Sequence, residues 1–139
     1  MGGVHFDFEN FLQLISLNIG IAERIDENRA ESFTLLYCDF SDMNSPDVAQ
    51  SLEEILRNSD AVVNYEKDYF FILPYTDKYG SGYVKNMFDE FFGKQLTSVS
   101  VSYPIDGETV EELFNSVELK ITETEKKTLS CLSKFIKKS

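Results

Sequence analysis

A few residues in this chain have the type and spacing to do chemistry. Asp39 closes a β-favouring run, Leu35-Leu36-Tyr37-Cys38-Asp39, and Asp68 lies between two more such runs. Two carboxylates at adjacent strand ends can hold a hard cation such as Mg²⁺. Arg57 and Asp60 stand three apart: arginine offers a planar fork for phosphate or a base edge, and aspartate accepts from paired N–H donors. A structural role stands beside each. Asp39 caps a strand and Asp68 closes a turn, which is the preferred reading, because Mg²⁺ usually needs substrate phosphates to complete its shell. Arg57 ends a helix favourably, Asp60 starts the loop, and an exposed pair there is worth little. The single histidine lies near the N-terminus, which argues against histidine chemistry. Cys38 and Cys131 sit in apolar patterns that suit reduced core thiols.

The elements that must position these groups centre on Val62 to Pro74. Two apolar, β-favouring runs flank Glu66-Lys67-Asp68, the signature of a tight hairpin. Tyr69 to Leu73 has no polar break and is expected near the middle of a sheet. Before it, Phe8 to about Asn28 predicts a helix apolar over most of its circumference, which docks deeply or packs on a second copy. Phe33 to Asp39 predicts a strand. Ser45-Pro46-Asp47 starts a helix with Ser45 at N-cap and a core face of Val48, Leu52, Ile55 and Leu56. Asp77 to Phe92 predicts a helix stopped by Gly93, with Gly80-Ser81-Gly82 a frayed start. Leu96 to Tyr103 alternates, with Val99, Val101 and Tyr103 inward and Ser98, Ser100 and Ser102 outward. Thr109 opens a last helix through a capping box, with Leu129, Leu132 and Ile136 continuing its apolar spacing towards the tail. The order is α-β-α-β-β-α-β-α. Without the outer helices it is βαββαβ, a ferredoxin-like α+β unit with a mainly antiparallel sheet and helices on one face.

Composition narrows the partners. A chain of 139 residues with 42% hydrophobic content, 12 Phe and 7 Tyr is expected to form one domain over 1–139, with an N-terminal helix in 1–30 and a basic helical tail in 126–139. Residues 1–125 hold 8 of the 13 basic residues and all 24 acidic ones, a net −16, while 126–139 add five lysines. An acidic body repels nucleic acid and anionic membrane alike, so neither is an expected partner. No apolar run approaches spanning length and the N-terminus lacks a signal pattern, so a cytoplasmic location is expected.

The order and landmarks together resemble the GGDEF domain, the diguanylate cyclase family of bacterial signalling, over nearly the whole chain. Leu35 to Phe40 resembles the family's first strand ending in its metal-binding aspartate. Arg57 to Tyr65 resembles the approach to the signature hairpin, and Glu66-Lys67-Asp68-Tyr69-Phe70 lies where the family writes Gly-Gly-Asp-Glu-Phe. Ile72-Leu73-Pro74, Ser98 to Pro104 and Asp106 to Leu113 match later landmarks. The resemblance implies that Asp39 and Asp68 are the family's metal acids and that Arg57-x-x-Asp60 is its inhibitory site for cyclic di-GMP.

The departures point away from catalysis. The stretch that reads guanine between the first aspartate and the next helix is missing, since Ser45-Pro46 follows Asp39 almost at once. The two glycines that let the turn approach phosphates are Glu66 and Lys67. The next acidic position is Tyr69, and the lysine of the last helix falls near Thr124. Without these groups phosphoryl transfer loses its positioning. The expected function is a degenerate, inactive GGDEF-like regulatory or protein-interaction module, with no cofactor, self-associating as a homodimer through an outer helix. The alternatives are a cyclic di-GMP receptor through Arg57 and Asp60, an unrelated ferredoxin-like interaction domain and, disfavoured, an active cyclase.

Overall fold

The computed structural model describes residues 2–25, 32–125 and 131–132. The chain runs β1 (Val4–His5), a 3₁₀ turn (Phe8–Asn10), α1 (Phe11–Ile25), β2 (Phe33–Asp39), α2 (Ser45–Ile55) and β3 (Ala61–Tyr65). It continues through β4 (Asp68–Pro74), α3 (Lys78–Phe92), β5 (Ser98–Tyr103) and α4 (Val110–Glu125). The five strands lie in the order β1-β3-β4-β2-β5. All contacts are antiparallel except β1 on β3. The unbroken apolar run in β4 therefore takes the central place, as its sequence requires.

Helices cover both faces of this sheet. On one face α2 and α3, the helices of the βαββαβ unit, bury Val48, Leu52 and Phe88 against Leu36, Phe71 and Leu73. On the other, α1 and α4 bury Phe11, Ile15, Phe114 and Val117 against Leu35, Tyr37, Phe70 and Ile72. The greasy first helix thus docks as core. Its Leu12, Leu17 and Ile21 remain exposed, so the extra apolar residues widen the helix beyond the face it buries. Cys38 and Cys131 are buried, and burial pushes the Cys38 thiol well above its ordinary range. Leu132 joins the α1/α4 core. Leu129, Ile136 and the lysines of the tail lie outside the described residues, as does the end of the first helix beyond Ile25.

Several local expectations need correction. The N-cap of α2 is Asn44, whose Oδ1 accepts from the Asp47 N–H at 2.9 Å, and Ser45 is the first helical residue. Gly80-Ser81-Gly82 is regular helix: Asp77 Oδ1 caps the Gly80 N–H at 2.7 Å, and a Cβ on Gly80 would lie 2.9 Å from the Thr76 methyl. The serine face of β5 is packed against α3, with Ser81 Oγ 2.9 Å from Ser100 Oγ and Ser102 fully buried beside Thr34. Small hydroxyls allow close approach there while meeting their own hydrogen bonds. β1 had no signal in the sequence. It forms because Gly3, at φ 77, turns the N-terminus against Leu56 and Asp60, after which Val4 N–H bonds Asp60 O and Phe6 N–H bonds Val62 O.

Candidate functional site

Asp39 and Asp68 are brought together. The antiparallel register of β2 and β4 pairs them directly across the strands. The two-residue period puts both on the face of Tyr37 and Phe70. The Tyr37 hydroxyl donates to Asp68 Oδ1, and Asp39 Oδ1 accepts from the Ser41 N–H at 2.9 Å. Burial first, then the Asp68 hydrogen bond and the charges of Asp68 and Asp39, drive the Tyr37 phenol far above its ordinary pKa. It stays a hydrogen-bond donor. Each carboxylate thus already has one oxygen engaged. Among the described residues no group of three or more His, Cys, Asp and Glu is placed to hold a metal ion. Two carboxylates are a partial donor set for Mg²⁺, whose octahedral shell is otherwise completed by waters and substrate phosphates.

The turn between β3 and β4 consists of Glu66 and Lys67. Glu66 sits at φ 54, the left-handed region that glycine enters freely and a β-carbon makes costly by about 1–2 kcal/mol. Lys67 is tied down at both ends. Its carbonyl accepts from the Phe40 N–H at 2.9 Å, and its Nζ donates to Met43 O at 2.8 Å and to Ser45 Oγ at 3.4 Å. The side chain therefore bridges the hairpin turn and the short 40–44 connection into α2. Nothing in the sequence announced this clamp, which joins residues more than twenty apart.

Arg57 and Asp60 are also brought together, but against each other. Asp60 is only 2% exposed, whereas Arg57 is 56% exposed. Asp60 Oδ2 accepts the Arg57 backbone N–H at 2.8 Å and its Nε–H at 3.4 Å, while Oδ1 accepts from Nη2 at 2.9 Å. Nη2 also reaches Pro74 O and Thr76 Oγ1, both at 3.1 Å. The pair is a staple between the α2–β3 loop and the end of β4, not an exposed junction. Asp60→Ala would strand a backbone donor and part of a guanidinium. We expect it to cost roughly 2 kcal/mol, discounted for the exposed arginine. Urea unfolding of the variant measures this; an unchanged midpoint would mean the staple is idle.

Thr124, where the resemblance places a lysine, bonds its hydroxyl back to Lys120 O at 2.6 Å. Lys120 itself donates to Ser100 O at 2.9 Å and lies 3.6 Å from Asp106. Asp106 also accepts the Ser102 N–H and pairs with Lys78 at 2.7 Å. Burial alone would raise its carboxyl; Lys78, the Ser102 N–H and Lys120 outweigh that and hold it below its ordinary range. Together these groups engage Ser100 O and both backbone groups of Ser102 on the outer edge of β5, which disfavours strand addition there.

No protein-family model matches the sequence, and no curated protein matches it. Solved structures do. The chain superposes on the diguanylate cyclase SiaD of Pseudomonas aeruginosa, described in complex with its activator SiaC, at TM-score 0.66 and 16% identity. The match covers 86% of this chain and 55% of SiaD, so the chain spans about half the length of that protein. It also matches a sensory box/GGDEF family protein from Caulobacter crescentus CB15 at TM-score 0.63 and 15% identity, over 87% of this chain and 93% of that one. The fold is GGDEF-like. Identities this low establish the GGDEF-like architecture alone. Among the described residues no helix is long and apolar enough to cross a membrane.

Proposed function

We propose that this chain is a GGDEF-like module without cyclase activity that works through protein contact. The observation that carries the reading is the Lys67 clamp. In the family it resembles, nucleotide is taken between the glycine turn and the segment that follows the first aspartate. In this chain that segment is reduced to residues 40–44, and Lys67 Nζ is fastened to it through Met43 O. A side chain and a β-carbon replace the two glycines, and Tyr69, packed on Phe40 with ring centroids 4.9 Å apart, replaces the next acid. The turn thus lacks the glycines whose bare backbone would admit phosphate oxygens, and positioning is most of what phosphoryl transfer asks of a protein. The net charge of −11 adds a repulsion against any free nucleotide.

Calorimetric titration of the full chain with GTP and Mg²⁺ tests this. No saturable heat is expected up to millimolar nucleotide. A saturable exotherm that disappears in Asp39→Ala would overturn the proposal.

The receptor alternative asks Asp60 to read guanine. Its two carboxylate oxygens already hold three Arg57 donors in a buried position. A ligand would have to displace that staple, so the interaction module is the better supported reading. Among the described side chains of the first helix, Leu12, Leu17 and Ile21 are the exposed large apolar ones on which a homodimer could form, while Phe11, Leu14 and Ile15 are core.

A further inference from the structure

We propose that the outward face of α3, on Tyr79, Tyr83 and Met87, is a docking surface for an arginine-bearing segment of a partner protein. This deepens the interaction reading by naming the chemistry of the partner, and rests on it. The three side chains recur every four residues and are 74%, 59% and 42% exposed, while the opposite face of the helix is buried through Ser81 and Phe88. Tyrosine and methionine are the residues that protein interfaces concentrate and that solvated helix faces avoid. The two tyrosine rings meet edge to face, with centroids 5.3 Å apart at 85°. Between them Gly82 has open space where a β-carbon would stand. Lys78, Tyr79, Gly82, Tyr83 and Asn86 line a groove of about 290 Å³ at this place.

Charge selects the occupant. Both lysines of α3 are neutralised within the fold, Lys78 by Asp106 and Lys85 by Asp89. Glu90, exposed, lies seven residues after Tyr83 and eleven after Tyr79, a spacing that keeps it on the same helical face. The face thus offers two aromatic rings and a carboxylate on a body of net −16. A guanidinium is suited to both: it stacks on tyrosine and forks onto carboxylate, and it sheds water more readily than an ammonium. A second copy of the chain would bring the same acidic body, and an acidic partner or nucleic acid would be repelled.

The test is fluorescence anisotropy of the full chain with labelled twelve-residue peptides of alternating glycine with arginine, lysine or glutamate, at about 0.15 M salt. The arginine peptide is expected to bind saturably, at least threefold tighter than the lysine peptide, with no binding of the glutamate peptide. Tyr79→Ser with Tyr83→Ser should weaken the arginine peptide at least tenfold while leaving the melting temperature unchanged, because both side chains are exposed. Glu90→Gln should weaken it by a smaller factor. Equal affinity in wild type and the double variant would overturn the proposal, assigning the binding to the acidic body at large. So would no saturation, or a wild-type dimer by light scattering that the double variant abolishes, which would make the occupant a second copy. Cyclase turnover, by contrast, would sink the silent-module reading whatever the peptides did.

Discussion

Phe70→Ala is expected to destabilise the protein by about 4 kcal/mol, a third or more of what holds a domain of this size together. Phe70 is fully buried at the centre of the sheet. Its ring packs against Phe11 at 5.0 Å, Tyr37 at 5.2 Å and Phe8 at 6.1 Å, so one side chain joins the N-terminal turn, α1, β2 and β4. Truncation removes the transfer free energy of a large ring and leaves a cavity whose walls are held by three other rings, which limits collapse. A fall in melting temperature of roughly 10–20 °C should accompany it. A loss below about 1.5 kcal/mol in urea unfolding would mean that α1 is not seated on this face.

Deletion of residues 1–25 should be more severe. It strips Phe11, Leu14 and Ile15 from the core, each worth roughly 1.5–3 kcal/mol of burial, a sum comparable to the whole stability. It also removes Val4 and Phe6, whose N–H groups occupy the outer carbonyls of Asp60 and Val62, and so bares the edge of β3. Naked apolar faces and strand edges associate. The truncated chain is expected in the insoluble fraction or as heterogeneous aggregate. A soluble monomer with undiminished far-UV circular dichroism would show that the first helix is neither core nor cover.

Much of this architecture was legible because periodicity reports burial. The alternation in β5, the unbroken run in β4 and the i, i+3, i+4, i+7 spacing of Val110, Leu113, Phe114 and Val117 each state which face is covered, and those faces are covered. What escaped depends on tertiary neighbours. Val4 and His5 form a strand of two residues, too short to carry a period, and only the approach of Gly3 to Leu56 makes it pair. Serine at 98, 100 and 102 reads as a solvated face until α3 is known to lie on it. At the site, the pairing of Asp39 with Asp68 followed from where the strands end. Arg57-x-x-Asp60 fits an ion pair, a ligand fork or a staple equally well. The position of Pro74 and Thr76, seventeen and nineteen residues away, makes it a staple. The Lys67 clamp likewise rests on a backbone carbonyl, that of Met43, to which no side-chain pattern points.

The proposed absence of cyclase activity in this GGDEF-like chain is tested most plainly by direct turnover. The full chain is incubated with GTP and either Mg²⁺ or Mn²⁺, and cyclic di-GMP is measured by chromatography against an active cyclase as positive control. No product above the no-protein blank is expected with either metal. Product that forms in proportion to protein and vanishes in Asp39→Ala would contradict the proposal.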